Sequence, residues 1–242
     1  MRQTRPVAPS TRPLIGLTTY VDTARWGVWD VPAAVLHATY VAALQRAGAR
    51  PILLPPDPGD DGVLDRLDGL VVTGGPDVDP RLDGRPASDD AAPIPERDSY
   101  ELLLWHGARA RDVPTLGICR GLQTMVLAHG GSLIPDLDDA GYGTVHREVP
   151  GTYTEHEVAL EEGSTIAGIY GTTSLSTNSS HHQGIDDPGT LVPTGWSQDG
   201  LIEVCEVPDA HFAVGVQWHP EHPDRRAAEL PLFRALMDAA AT

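Results

Sequence analysis

Strand-like and helix-like segments alternate along this chain, and the alternation limits the fold more than any other feature of the sequence. Short apolar runs of strand length are separated by longer segments with helical periodicity. Such alternation is typical of an α/β fold in which a parallel sheet is covered by helices on both faces. The predicted strands are 13–20, 50–56, 67–75 and 113–118, and the predicted helices are 33–48, 96–112 and 120–131.

The second half of the chain is richer in strands, and no internal repeat or long linker divides it. We therefore predict one domain at 13–242. The polar, proline-rich stretch before it lacks the apolar centre of a signal peptide, and we expect a flexible tail at 1–12. Strands are predicted at 156–164, 175–185, 200–209 and 211–221, with a closing helix at 227–241.

Charge and composition exclude several classes of function. The formal charge of the 242 residues is −17, and such a surface repels phosphate backbones, so nucleic acid is not expected as a partner. All 17 basic residues are arginine, which excludes Schiff-base chemistry and a Walker-type phosphate loop, since both need a lysine amine. No stretch approaches about 18 consecutive apolar residues, so no membrane span is expected. The two cysteines give no disulfide framework, and a cytoplasmic location fits best.

One of these cysteines lies between a predicted strand and a predicted helix, in the segment Gly117-Ile118-Cys119-Arg120-Gly121. This is the layout of a nucleophile elbow, a sharp turn whose flanking positions have no room for side chains. The helix N-terminus would favour the thiolate form of Cys119. The alternative is that Cys119 is a small residue that fills a tight turn, so the motif needs partner residues to support it.

A histidine and a glutamate near the end of the last predicted strand could supply those partners. A cysteine hydrolase needs a histidine that takes and returns a proton, commonly held by a third group. Pro220 restricts His219 to an extended backbone, so His219 and Glu221 project to the same side. Glu221 could then orient the imidazole that serves Cys119. Alternatively, His219 is a surface histidine at a strand end.

A metal site is a further interpretation of the histidines, with His181, His182, His219 and His222 as ligands. The spacing of His219 and His222 is close to that of a helical ligand pair, but the prolines that follow each of them disfavour a helix there. We therefore expect no metal in catalysis.

A glycine pair ends the predicted strand at 67–75 and offers a third candidate element. The missing side chain lets the backbone N–H of Gly75 approach a ligand closely. Together with the N–H of Arg120 it would form a two-donor oxyanion hole. On its own, such a segment is more often a plain turn, with Asp77 and Asp79 as turn residues.

Taken together, these segments resemble the class I glutamine amidotransferase superfamily. The resemblance is closest to its free-standing hydrolase branch, the γ-glutamyl-γ-aminobutyrate hydrolase-like family (peptidase family C26), and it covers roughly 13–240. The motifs GICRG, NSSHHQ and QWHPE follow one another in the family's order. The resemblance implies a flavodoxin-like three-layer fold with a mostly parallel central sheet and an added strand-rich portion.

The resemblance also implies catalytic roles for individual residues. Cys119, His219 and Glu221 match the family's catalytic triad. The backbone N–H groups of Gly75 and Arg120 match its oxyanion donors. No cofactor is implied.

Residues that would bind the substrate follow from the same resemblance. Gln123 matches a residue that contacts the γ-glutamyl group in related amidotransferases. The backbone at Ser180, His181 and His182 matches the segment that grips the α-amino and α-carboxylate ends of that group. The loop at 80–96 varies within the family and can border the pocket, so it leaves the substrate's identity open.

Three functions are compatible with this resemblance. The first is hydrolysis of a small γ-glutamyl amide, such as γ-glutamyl-GABA, through a γ-glutamyl thioester. The second is a glutaminase subunit that supplies ammonia to a separate synthetase, and the third is a binding module that has lost the chemistry. The complete cysteine, histidine and glutamate set favours an enzyme, and the NSSHHQ segment favours the first function. The leaving amine and the oligomeric state stay open, with a homodimer as one option.

Overall fold

The computed structural model describes residues 12–85 and 94–242, which contain thirteen strands and five α-helices. The expected tail at 1–12 and the middle of the loop at 80–96 therefore lie largely outside the described residues. The strands are β1 Leu14–Thr18, β2 Tyr20–Trp26, β3 Trp29–Val35, β4 Arg50–Leu54, β5 Gly69–Val72, β6 Thr115–Ile118, β7 Ser132–Ile134, β8 Thr154–Leu160, β9 Ser174–Ser179, β10 Gly184–Asp187, β11 Val192–Ser197, β12 Ile202–Glu206 and β13 Ala213–Val216. The helices are α1 Ala38–Ala47, α2 Pro95–Arg111, α3 Arg120–Ala128, α4 Thr165–Tyr170 and α5 Leu230–Ala239.

Nine strands form one mixed sheet in the order β4-β1-β5-β6-β13-β12-β11-β8-β9. The pairs from β4 to β13 are parallel, and we call these strands the parallel half. The pairs from β13 to β9 are antiparallel, and β12, β11, β8 and β9 form the antiparallel half. The prediction of a parallel sheet core with an added strand-rich portion is confirmed.

Helices cover both faces of the parallel half. Val71 of β5 packs into a core with α1, α4 and α5, whereas its neighbours Leu70 and Val72 pack into a second core with α2 and α3. Successive residues of a strand point to opposite faces, so the two cores lie on opposite sides of the sheet. The predicted three layers are therefore confirmed. Within the described ranges, no helix combines the length and apolar character that crossing a bilayer requires.

The structure corrects the start of the predicted helix at 33–48. Residues through Val35 belong to β3, which pairs with β2 from Tyr20↔Val35 to Trp26↔Trp29. Cross-strand hydrogen bonds in this hairpin override the helix propensity of Ala33 and Ala34. The helix starts at Ala38, and its predicted glycine end is confirmed, since Gly48 has a left-handed φ of 102°.

The chain after α3 contains elements that the sequence pattern did not predict. These are the strands β7 and β11 and the helix α4. The predicted strand at 175–185 is two strands, because residues 180–183 leave the large sheet after β9, and β10 then pairs with β7 instead. This break places the residues after Ser179 in a loop near the carboxyl end of the parallel strands.

Candidate active site

Cys119 lies at a strained turn between β6 and α3. Its backbone has φ 52° and ψ −107°, a region that residues with a side chain rarely occupy. The flanking glycines are required by close packing. A Cβ on Gly117 would lie 2.9 Å from the carbonyl carbon of Gly121, and a Cβ on Gly121 would lie 2.0 Å from the carbonyl oxygen of Val72. The elbow geometry expected from the sequence is thus present.

The parallel pairing of β13 with β6 brings His219 to this turn. Val216 is in register with Ile118, so the chain after β13 emerges beside the residue after β6. His219 Nδ1 lies 2.8 Å from Glu221 Oε1. Burial lowers the pKa of His219, but the negative charges of Glu221 and Cys119 outweigh burial and raise it well above its ordinary value. We call Cys119, His219 and Glu221 the elbow group.

Two further residues contact the elbow group, and sequence reasoning assigned a role to neither. Gln217 donates from Nε2 to Cys119 Sγ at 3.6 Å. The hydroxyl of Tyr40 accepts from the N–H of Gly74 at 3.0 Å. Burial raises the pKa of Tyr40 well above its ordinary value, and the charges of Glu221 and Cys119 add to the effect, so the phenol keeps its proton. Gln217 lies within the QWHPE motif, but Tyr40 gave only the signal of a core-facing helix residue.

Gly75 follows β5 and lines the same cavity as Cys119. Glycine is favoured here because φ is 155° and because a Cβ would lie 2.1 Å from Nη1 of the buried Arg97. The Arg97 guanidinium donates from Nη2 to the carbonyl oxygens of Thr73 and Gly74, both at 2.9 Å. These two hydrogen bonds therefore fix the backbone of the glycine pair.

The side chain of Arg120 is buried in an ion-pair network with α2. It pairs with Asp98 and Glu101, and Glu101 also pairs with Arg97 at 2.7 Å. Because this network holds the guanidinium away from the cavity, Arg120 can serve a substrate only through its backbone N–H. One buried network thus braces both expected oxyanion donors, Gly75 and Arg120. Three members of this network, Arg97, Asp98 and Glu101, lie in the segment RDSYELLL at 97–104, to which the sequence alone gave no role.

A cavity of about 500 Å³ opens over the elbow group. The ring of Tyr153 packs edge-on against His219, with ring centroids 5.3 Å apart, and lies 4.6 Å from the ring of His222. The cavity is wide enough for a small substrate. Its lining residues are His37, Thr39, Gly75, Cys119, Gly151, Tyr153, Ser180, His219, Glu221, His222 and Pro223.

The expected substrate-binding residues divide into two sets. Ser180 lines the cavity, and the partly buried His182 pairs with Asp77 at 3.1 Å. Gln123 is buried and directs its amide to the carbonyl of Gln183 at 3.3 Å, and it is not part of the cavity lining.

His181 departs furthest from expectation. Its side chain is buried with His146, His156 and Glu203, outside the cavity lining. Its backbone N–H already donates to the carbonyl of His146 at 3.2 Å. In this conformation, the N–H of His181 therefore cannot also donate to a substrate. The reason is local, because the chain bends out of the sheet after β9 and packs His181 inward.

The metal interpretation of His219 and His222 is not supported by the geometry. In the described ranges, the one group of three or more clustered ligand side chains contains His146, His156, His181 and Glu203. His182 is paired with Asp77 instead. The four histidines considered from sequence therefore do not form one site.

The fold and the elbow group define a class of protein, the class I glutamine amidotransferase fold with a cysteine at the strand–helix turn. Solved structures share the fold at low identity. The glutaminase domain of Trypanosoma brucei CTPS has a TM-score of 0.63 at 15% identity, over 95% of this chain and 94% of that chain. A Thermoplasma acidophilum protein assigned by name to GMP synthase has a TM-score of 0.62 at 21% identity, over 95% of both chains.

The family model described as Peptidase C26 matches residues 13–221, and the chain belongs to this family. A Mycobacterium tuberculosis protein assigned by name to the glutamine amidotransferases is 42% identical over 96% of this chain and 76% of its own length. The γ-glutamyl-γ-aminobutyrate hydrolase of Escherichia coli is 36% identical over 84% of each chain. These relatives support hydrolase chemistry on an amidotransferase fold.

Proposed function

We propose that this protein is a cysteine-dependent hydrolase that cleaves the γ-glutamyl amide bond of a small γ-glutamyl conjugate. The observation that carries the proposal is the elbow group itself. A strained cysteine faces a cavity of about 500 Å³ beside a histidine held at 2.8 Å by a glutamate. The name of the 36% identical Escherichia coli relative supplies the substrate class, γ-glutamyl-γ-aminobutyrate or a similar amide.

The proposed reaction starts with attack of the Cys119 thiolate on the γ-carbonyl carbon. The carbonyl electron pair moves to oxygen, and the N–H groups of Gly75 and Arg120 stabilise the oxyanion. Collapse breaks the C–N bond while the His219 imidazolium donates its proton to the departing nitrogen. A γ-glutamyl thioester remains on the enzyme.

Water then resolves the thioester. Neutral His219 takes a proton from the water as the oxygen attacks the thioester carbon. Collapse expels the Cys119 thiolate and releases glutamate, and His219 again carries a proton. Glu221 keeps the imidazole oriented through both steps.

The proposed substrate contacts follow the two sets of residues in the site. Ser180 lines the cavity, and the backbone at Ser180 and His182 would contact the ends of the γ-glutamyl group. Gln123 acts indirectly in this proposal. Its Nε2 donates to Gln217 Oε1 at 3.5 Å, and Gln217 Nε2 in turn donates to Cys119 Sγ. His181 contributes through the loop that it anchors rather than by contact with the substrate.

A second candidate is a glutaminase subunit that delivers ammonia to a separate synthetase. The name of the 42% identical Mycobacterium tuberculosis relative favours it. The same elbow group would act, but glutamine would be the substrate and turnover would depend on a partner.

A hydrolysis screen with the purified chain tests the two candidates against each other. The substrates are γ-glutamyl amides with different leaving amines, and glutamine is included as one of them. We expect the chain alone to release glutamate from at least one conjugate faster than from glutamine, and Cys119→Ala is the matched inactive control. Turnover only after a synthetase is added would favour the ammonia-donor function, and no thioester in a single turnover would favour a silent binding module.

A further inference from the structure

Four buried side chains outside the cavity lining converge on one point in the antiparallel half. They are His146, His156, His181 and Glu203, which we call the histidine cluster. Their inward-facing nitrogen and oxygen atoms all lie within 4.8 Å of one another. Glu203 Oε1 lies 3.3 Å from His146 Nδ1, 3.8 Å from His156 Nε2 and 3.6 Å from His181 Nε2.

The inward atoms of the cluster lack hydrogen-bond partners. His146 Nδ1, His156 Nε2, His181 Nε2 and both carboxylate oxygens of Glu203 are buried and unsatisfied. Each of the four residues is at least nine-tenths buried. Buried polar atoms without a partner are costly and rare in native proteins. The cluster therefore calls for a species that all of these atoms can bind.

The outer nitrogen of each imidazole is directed to an acceptor. His146 Nε2 lies 2.9 Å from Asp199 Oδ2, and His181 Nδ1 lies 2.9 Å from the carbonyl oxygen of Gln183. His156 Nδ1 makes a longer contact of 3.4 Å with the carbonyl oxygen of Glu157. A nitrogen that donates outward leaves the inner nitrogen with a free lone pair. This is the arrangement of metal-bound histidines, whose second nitrogen commonly donates to a carboxylate or a carbonyl.

A proton shared within the cluster is the competing explanation. Neutral imidazoles would aim lone pairs at the lone pairs of Glu203, and those contacts would repel. One proton bridges only one such pair, whereas a cation satisfies several at once.

We propose that the histidine cluster is a structural zinc site with three imidazole ligands and one carboxylate ligand. This donor set is one that Zn²⁺ binds, and a closed four-coordinate site is typical of structural zinc. Bonds of about 2.0–2.1 Å place tetrahedral ligand atoms roughly 3.3 Å apart. The contacts of Glu203 Oε1, at 3.3, 3.6 and 3.8 Å, are close to this spacing, and ion binding would draw the more widely spaced atoms of the cluster together. The charges of Glu203 and of the neighbouring Asp199 balance the charge of one Zn²⁺.

The position of this site gives it a role in shaping the cavity. His146 follows the short helical turn Gly143–Val145, in the long segment that leads to the cavity residues Gly151 and Tyr153. His181 directly follows the cavity residue Ser180. The ion would tie both segments to β8 and β12, which supply His156 and Glu203. It would not touch the reacting atoms.

Cobalt substitution of the full chain tests this site. The protein is stripped with a chelator and titrated with Co²⁺, which absorbs strongly in the visible range when it is tetrahedral. We expect one tetrahedral Co²⁺ per chain, displaced by Zn²⁺, with a matching rise in the thermal midpoint. Uptake should be lost in Glu203→Gln and retained in Cys119→Ala and in the exposed-histidine control His106→Ala. Asp199→Asn should weaken binding about 10- to 100-fold, as loss of an outer partner typically does.

A second variant exchanges one ligand, so that the test does not depend on a loss of metal binding that unfolding could also cause. His156→Cys offers a thiolate in place of an imidazole, and Co²⁺ bound there acquires a thiolate-to-cobalt charge-transfer band. This band would place the ion in the cluster. Failure of the wild-type chain to bind Co²⁺ or Zn²⁺, equal uptake by a folded Glu203→Gln variant, or cobalt-loaded His156→Cys without the band would each overturn the proposal in favour of a proton-linked network.

Discussion

The elbow group and the histidine cluster each combine histidine with glutamate, but the surroundings of these side chains differ. In the elbow group, one imidazole nitrogen of His219 is held by Glu221 while the ring lines a cavity with Cys119. In the histidine cluster, the inner nitrogens face one another and Glu203, away from the cavity. A histidine and a glutamate therefore act as a proton carrier or as a ligand set according to what the second nitrogen meets.

The position in the sheet explains the difference. The elbow group lies at the carboxyl ends of β6 and β13, where parallel strands leave a crevice that a ligand can enter. The cluster lies among β8, β12 and the segments beside them, where antiparallel pairing closes the packing. The comparison predicts that each group can be disabled without the other.

The largest expected effect on hydrolysis comes from replacing Cys119, whereas Cys205 should have no part in the reaction. Cys119→Ala should abolish hydrolysis, because no other group can form the thioester, and it should keep full metal uptake by the cluster. Cys205 lies on β12, where burial and then the charge of Glu206 raise its pKa to about 12, so it is an inert thiol. Limited alkylation followed by peptide mapping should label Cys119 first and stop activity. Preferential labelling of Cys205 with activity retained contradicts the elbow assignment.

The next effect concerns the proton carrier. His219→Ala should lower the rate of hydrolysis roughly 10²–10⁴-fold, the usual contribution of general acid–base catalysis. The leaving amine then lacks an acid, so substrates with more basic leaving amines should lose more. Steady-state rates across a series of leaving amines measure this. Wild-type rates in a folded His219→Ala variant would show that the triad assignment is wrong.

A smaller effect is expected for the group that orients the imidazole. Glu221→Gln should leave weakened but measurable hydrolysis, because a fraction of the imidazoles still adopts the productive orientation. It also removes one of two charges that raise the pKa of His219. The acid form of His219 is then lost at a lower pH, so the alkaline limb of kcat/KM should shift to lower pH. If the alkaline limb of kcat/KM stays at the same pH in Glu221→Gln, the group that titrates there is not His219.

The sequence predicted the parallel half well because its signals are local. The apolar runs, the helical periodicity and the glycines around Cys119 each concern neighbouring residues, and all reappear in the structure. The antiparallel half was harder, because β11 contains Pro193 and Gly195 and its register with β12 shifts at both, so no regular alternation marks this strand in the sequence. The start of α1 was predicted too early because Ala33 and Ala34 have a high helix propensity, although they belong to the hairpin of β2 and β3.

The candidate site shows the same division. Cys119, His219 and Glu221 could be found from sequence because turns and spacing fix their directions. Tyr40 and Arg97 could not, because their contacts with Gly74 and Thr73 arise only after α1 and α2 dock on the sheet. Resemblance assigned only the backbone at His181 to the substrate, and the position of its side chain in the cluster follows from packing after β9 that the sequence does not reveal.

The smallest effect on hydrolysis should come from emptying the histidine cluster. Removal of metal, or Glu203→Gln, should lower the thermal midpoint, because binding free energy at a structural site is folding free energy. The chemical step should persist, since no cluster atom faces the cavity. The loosened segments carry Tyr153 and Ser180, so KM should rise several-fold more than kcat falls.

Alkylation of Cys119 provides the control for this last effect. Its rate depends on the elbow group alone, so chelated and zinc-loaded enzyme should react at similar rates below the melting range. If chelation instead slows alkylation as much as it slows hydrolysis, with the thermal midpoint unchanged, the ion acts at the elbow group. The two groups would then be one functional unit, because a cluster that only holds Tyr153 and Ser180 in place has no means of changing the reactivity of the thiolate.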